Sequence, residues 1–271
     1  MSEVALPPLS PAPTAAQRVD GHFGELMQGR LGPGGPLALI SLPCPALSVT
    51  VGGQDAALLG PRRVQALCAA LGLAVPGALP ALSATMPPGG GAGSSTAALV
   101  ALARWLGFDG PPEVLARACV LAEGASDPLM LPRSERLLFA PREGRVIEAL
   151  PPLPRFEVLG GFLGEGQRTR AEDQDFPDIA DLVARWRLGP DLPGMAALTS
   201  ESAARTLALR GPAGDPTAAL AGRLGAEGWL IAHTGSARGL IFAPGRVPPG
   251  AEHSLRAAGF TQLLRFAGGG A

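Results

Sequence analysis

The residues best suited to chemistry lie in one short run, Pro87-Pro88-Gly89-Gly90-Gly91-Ala92-Gly93-Ser94-Ser95-Thr96. Glycines permit backbone conformations closed to other residues and leave main-chain amides uncovered, which is what a loop must do to cradle phosphate. Behind the run, residues 96 to 106 are apolar almost all round, the pattern of a buried helix, and the positive end of its dipole would add to the same anion site. The paired serines could cap that helix or offer a hydroxyl to a magnesium ion. A flexible linker ending in a plain N-cap accounts for the same residues, since short glycine motifs recur by chance. The chain contains no lysine. A Walker-type lysine is therefore impossible, and any cationic side-chain contact to phosphate or carboxylate must come from arginine.

These residues need a scaffold, and the hydrophobic pattern supplies one in four blocks. Residues 18 to 51 combine an irregular glycine-rich turn, Gly21 to Gly35, with two β-type runs at Leu37 to Leu42 and Ala46 to Val51, read as a hairpin. Arg62 to Leu71 has helical spacing, and Ala81 to Met86 forms a short strand that enters the glycine run, giving the order strand, glycine-rich loop, helix. A further helix, Glu113 to Glu123, ends at Gly124-Ala125-Ser126-Asp127-Pro128, where glycine and proline oppose propagation and leave polar groups at a buried helix end. Strands at Leu137 to Ala140 and Arg145 to Ala149 precede the proline-rich stretch 151–154, the expected domain boundary. The second half opens with a strand, Phe156 to Phe162, and continues through helices near Asp178 to Arg187, Met195 to Ala208 and Thr217 to Leu224. Two strands across a tight turn, Gly228 to Thr234 and Gly239 to Ala243, close it. Strands interleaved with helices in both halves indicate an α+β fold. The expected organisation is a frayed segment 1–17, a domain 18–154 and a second domain 155–271.

Hydrophobic residues make up 46% of the 271 and charged residues 17%, ample for a buried core. With 22 basic against 23 acidic residues there is no electrostatic footprint for a polyanion, so nucleic acid is not an expected partner. Cys44, Cys68 and Cys119 are odd in number and sit in apolar surroundings, the pattern of reduced core thiols rather than of a disulfide framework. Residues 1 to 17 lack the basic segment and the unbroken apolar run of a signal peptide. No stretch of about twenty apolar residues escapes glycine, proline or charge. The expectation is a cytoplasmic protein acting on a small molecule, monomeric or homodimeric, with neither nucleic acid nor membrane as partner.

The glycine-serine run resembles the second motif of the GHMP kinases, named for galactokinase, homoserine kinase, mevalonate kinase and phosphomevalonate kinase, whose pattern is roughly Pro-x-x-x-Gly-Leu-Gly-Ser-Ser-Ala. Ala92 stands here for the leucine and Thr96 for the final alanine. Other blocks follow the order of one branch, the propanediol-utilisation-type L-threonine kinases. They are GHFGELMQG at 21–29 with the Cys-Pro pair at 44–45, LTSESAARTLA at 198–208, and AHTGSARGLIF at 232–242. The chain departs from that branch by lacking the first cysteine of the opening motif and by carrying Arg205-Thr206 where Asn-Gln is expected.

The resemblance implies a two-domain GHMP fold, with a first half like ribosomal protein S5 domain 2 and a ferredoxin-like second half, and it implies ATP and Mg2+ as cofactors. Pro88, Gly89, Gly90, Gly91, Ala92, Gly93, Ser94, Ser95 and Thr96 would surround the nucleotide, with Ser95 on magnesium. Asp127 matches the aspartate placed beside the reacting hydroxyl, the base of a phosphoryl transfer to an alcohol; an Asx-turn or cap before Pro128 is the other reading. Glu123 could supply a second oxygen to magnesium, although four residues separate it from Asp127 where that family has three; the alternative is a solvated carboxylate in a last helical turn. Glu25 and Gln28 could hold the amino and carboxylate ends of an amino-acid substrate. Gly235 and Ser236, with Gly239, shape a turn near substrate or phosphates, or a plain hairpin turn. His22 and His233 read as hydrogen-bonded structural residues, and no pair has metal-ligand spacing. Arg168, Arg170 and Arg238 could meet phosphate or carboxylate, with surface ion pairing the competing fate. The implied reaction is ATP-dependent phosphorylation of L-threonine to L-threonine O-3-phosphate for cobalamin nucleotide-loop assembly. L-Serine or homoserine as acceptor, or a catalytically silent sensor of the same fold, are the alternatives.

Overall fold

The segment expected to turn irregularly between Gly21 and Gly35 is for most of its length a strand. A computed structural model describes residues 17–166, 173–232 and 234–270; residues 1–16, most of the segment expected to be frayed, and Arg168, Arg170 and His233 lie outside them. Strand β1 (Arg18–Arg30) runs antiparallel to β2 (Leu37–Val51), which joins the two expected β-type runs into one. Their pairing shifts register between Asp20 and Gly21 and on both sides of Glu25. The glycines that suggest a turn in the sequence are those of a bulged strand.

Helix α1 (Pro61–Leu71) starts with proline in its first turn and stops at Gly72 in a left-handed conformation. The short β3 (Leu82–Ala84) pairs with β2 and leads into the glycine run. Helix α2 (Ser94–Trp105) begins two residues earlier than expected, and nine of its 12 residues are buried, consistent with its nearly uniform apolar sequence. Helix α3 (Pro112–Glu123) ends at Gly124, again left-handed. Strands β4 (Leu137–Ala140) and β5 (Arg145–Ala149) have their expected bounds. After β6 (Phe156–Leu163) come α4 (Ala180–Trp186), α5 (Leu192–Arg210) and α6 (Thr217–Leu224), then β7 (Gly228–Ile231) and β8 (Ala237–Phe242). Asp191 caps α5 by accepting the Gly194 N–H at 3.0 Å. Two elements absent from the sequence reading follow, α7 (Ala251–Ala257) and β9 (Phe260–Gly268).

The described strands form one sheet in the order β5-β4-β2-β1-β7-β8-β6-β9, with β3 on the side of β2. Strands from before residue 154 occupy one half and those after it the other. They meet where Glu25 of β1 pairs with Ile231 of β7. Along β6, β7 and β8 alternate residues serve two cores: Val158, Leu230 and Ile241 join the larger cluster, and Leu159, Ile231 and Leu240 the smaller. The larger cluster also takes in α2, β1 and β2, so one apolar core runs from the first half of the sheet into the second. All three cysteines are free and buried, and burial pushes the Cys44 thiol up to about 11. Among the described residues no helix is long and apolar enough to cross a membrane.

Candidate active site

A cavity of about 570 Å³ opens between β1, the glycine run, the end of α3 and the start of α1. Its volume lies in the range usual for small-molecule sites. His22, Glu25 and Gln28 all line it from β1. In a regular strand residues three apart point to opposite faces, so the register shifts around Gly24 and Glu25 are what bring the three side chains to one side.

The glycine run forms one wall, and its backbone is polarised. The carbonyls of Gly90, Gly91 and Ala92 are all used behind the turn. Gly90 O accepts from the N–H groups of Ser236 and Ala237 at 3.0 and 2.9 Å, Gly91 O from Gly24 at 3.0 Å, and Ala92 O from His22 at 3.2 Å. Gly91 and Gly93 have φ of +77° and +73°. A Cβ on Gly91 would lie 2.2 Å from the Ala232 Cβ, and one on Gly93 2.7 Å from the His22 ring, so conformation and close packing both demand glycine at these two positions. Gly93 is the N-cap of α2, and the N–H groups of Ser94, Ser95 and Thr96 have no acceptor within the helix. With these carbonyls engaged by backbone N–H groups and a helix N-terminus behind it, this wall can offer donors to an anion.

Three helices meet beside that wall. The Ser95 hydroxyl bonds the Glu123 carboxylate, and Arg63 of α1 donates from Nη1 to Ser95 Oγ at 2.7 Å and to Glu123 Oε2 at 3.2 Å. Thr96 Oγ1 donates to Glu123 Oε1 at 3.4 Å and accepts the Asp127 N–H at 3.2 Å, tying the end of α3 to the loop that follows it. Glu123 is therefore not a solvated last-turn carboxylate. Burial raises its pKa, opposed by the Ser95 hydrogen bond.

Across the cavity floor, His22 Nε2 faces Asp127 Oδ2 at 3.5 Å, and His22 Nδ1 meets the Gly24 carbonyl at 2.9 Å. His22 is almost wholly buried. Burial on its own would lower the imidazole pKa, but the Asp127 carboxylate, helped by Glu25 and the Gly24 carbonyl, outweighs it and raises the value to about 9. The same pair holds Asp127 ionised: burial would raise its pKa, and His22 with Thr96 brings it below the ordinary aspartate value. At neutral pH this is an imidazolium–carboxylate pair beside the glycine turn.

The structure thus brings together Glu25, Gln28, Pro88, Gly89, Gly91, Ala92, Gly93, Ser94, Ser95, Thr96, Glu123 and Asp127 around one cavity. Gly90, Gly235 and Ser236 do not line it; they brace the turn from behind, through the Ser236 to Gly90 bond and a Gly235 backbone packed against Gly90 and Gly91. Arg238 is neither a surface ion pair nor a phosphate contact: its side chain, 6% exposed, is paired with Asp215 at 2.8 Å away from the cavity. Arg205 spends its charge on Asp181 and Glu201. His22 and Arg63 are the residues the sequence undervalued. Only the absence of lysine pointed to an arginine at all, and nothing local to Pro61-Arg62-Arg63 distinguishes it.

No protein-family model matches the chain, and no curated protein sequence is significantly similar to it. Solved structures do match. A mevalonate kinase superposes with a TM-score of 0.62 over 94% of this chain and 99% of its own, at 9% identity. Homoserine kinase from Cytophaga hutchinsonii ATCC 33406 gives 0.57 over 97% of both chains at 14% identity. Mevalonate kinase from methicillin-resistant Staphylococcus aureus MRSA252 gives 0.56 over 95% and 100% at 17% identity. The chain has the α+β fold of the GHMP kinases.

Proposed function

We propose that this protein is an ATP-dependent kinase of the GHMP type, with a small hydroxylated amino acid as acceptor and L-threonine as the first choice. The product would be L-threonine O-3-phosphate for cobalamin nucleotide-loop assembly. The observation that carries the kinase reading is the polarity of the glycine wall: the carbonyls of Gly90, Gly91 and Ala92 are each taken by backbone N–H groups, and the turn lines the cavity together with the first turn of α2, whose N–H groups have no partner within the helix. Such a wall suits the oxygens of a nucleotide's phosphates and needs no lysine.

The Ser95 hydroxyl and Glu123 carboxylate are hard oxygen donors of the kind Mg2+ takes, one or two from protein beside phosphate oxygens and water. Bound there, magnesium would neutralise charge on the phosphates. Asp127, held ionised by His22, is in the form that accepts the acceptor's hydroxyl proton as the oxygen attacks phosphorus. Glu25 supports an acceptor with an ammonium group, and Gln28 beside it can hydrogen-bond a carboxylate; both are buried and line the same cavity. The motifs shared with the L-threonine kinases favour threonine over serine or homoserine.

Incubation with Mg-ATP and a panel of L-threonine, L-serine and homoserine, read by phosphorus NMR, tests the reading. L-Threonine should give a phosphomonoester signal. Asp127→Asn should lower kcat by roughly 10²- to 10⁴-fold with nucleotide affinity retained. A folded protein that transfers phosphate to no member of the panel and binds no nucleotide would overturn the assignment.

A further inference from the structure

Arg63 stands where the kinase reading puts a divalent cation. Its Nη1 donates to Ser95 and Glu123, and its Nη2 donates to the Leu58 carbonyl at 2.7 Å. One guanidinium thus holds both protein oxygens that a magnesium ion would take. Two cations cannot share them, because like charges at contact distance repel strongly in a part-buried site. Binding of a metal at Ser95 and Glu123 therefore requires Arg63 to leave.

Arg63 also has somewhere to go. Its side chain is 28% exposed and lines the cavity beside the first turn of α2, where the phosphates of a nucleotide would arrive. The cavity's other cationic side chains in the described residues are Arg142 and His22. His22 is paired with Asp127, and Arg142 donates to the Gly124 carbonyl at the end of α3. A planar guanidinium matches phosphate oxygens in a two-point geometry that an ammonium cannot reproduce.

We propose that Arg63 is the phosphate-binding cation of this lysine-free site, and that on nucleotide binding its guanidinium exchanges Ser95 and Glu123 for phosphate oxygens, releasing those two oxygens to the metal. The proposal rests on the kinase reading and makes two demands of opposite sign. Removing the Arg63 charge should weaken nucleotide binding and, with no nucleotide present, strengthen the binding of a divalent ion.

Arg63→Met and Arg63→Gln test both. Gln keeps polar contact with Ser95 and Glu123, which guards against loss of the fold, and circular dichroism checks both variants. Calorimetric titration with Mg-ATP should show affinity reduced roughly tenfold or more, the scale of a lost charge-assisted hydrogen bond. Electron paramagnetic resonance of Mn2+ without nucleotide should show tighter binding in the variants than in the wild type. Wild-type affinity for Mg-ATP in either folded variant would overturn the inference and leave the kinase reading standing. Loss of both nucleotide and Mn2+ binding would reduce Arg63 to a structural role. A wild-type protein without nucleotide affinity would remove both readings together.

Discussion

At the scale of single residues, the site turns on one pair. His22 and Asp127 come from distant parts of the sequence and meet only because the bulges of β1 aim the imidazole at the loop after α3. The pair gives the protein a pH dependence with a definite sign. The folded His22 pKa, about 9, lies above the unfolded value of 6.5. Its contribution to stability is complete below the unfolded value and is lost as pH rises through about 9, an effect on the order of 3 kcal/mol for so buried a group. Urea unfolding from pH 6 to 10 should show wild-type stability falling at the alkaline end, and His22→Asn should flatten that limb. An equal alkaline loss in wild type and variant would remove His22 as its origin. None of this was legible from His22 itself, since a lone histidine in sequence carries no sign of its partner; Asp127 stood out in the sequence through its match to the family's aspartate, at a helix end marked by glycine and proline.

Elements whose signals are local are read well from sequence, and those defined by contact are not. Helix α6 keeps its expected bounds because an apolar stripe and Gly225 mark it within eight residues, and β4 and β5 keep theirs for similar reasons. Strand β1 was mistaken for a turn because its glycines answer to neighbours invisible in the sequence: Gly29, for one, sits against Pro177 and Ile179. Strand β9 pairs only with β6 among the described strands and alternates weakly, with polar Thr261, Gln262 and Arg265 along it, so its pattern does not rise above that of a loop. The glycine turn shows both sides of this. Its sequence suggests a phosphate cradle, but the way its carbonyls are engaged depends on the N–H groups of Gly24, His22, Ser236 and Ala237. Gly91→Ala tests the element as a unit. The added Cβ meets Ala232 at a positive φ, so the turn must shift and the carbonyl bonds behind it must stretch. Mg-ATP affinity should fall by an order of magnitude or more, and stability by about 2–5 kcal/mol, about 1–2 from the left-handed conformation and about 1–3 from the overpacked contact. Unchanged nucleotide binding would mean that the turn does not present the phosphate donors.

At the scale of the whole molecule, the cavity and the core both bridge the two halves of the sheet. Phe176 and Thr234 bring the second half to a cavity otherwise built by the first. Phe23 of β1 packs edge-on against Phe162 and Phe266 of β6 and β9, with ring centroids 5.8 and 5.7 Å apart. Opening either half would expose the aromatic rings of the other, a cost that large buried side chains make substantial. The halves should therefore unfold in one cooperative step, and a ligand of the cavity should stabilise both. For a nucleotide at a hundred times its dissociation constant the linkage is about 2.7 kcal/mol. In a chain of this size that corresponds to a rise in Tm of roughly 5 °C. Scanning calorimetry should show a single transition that moves upwards as a whole with Mg-ATP, and moves less in Ser95→Ala, which removes a hydroxyl from the first turn of α2. Two transitions, only one of them shifted by nucleotide, would mean that the shared aromatic packing does not couple the halves and that the site belongs to the first half alone.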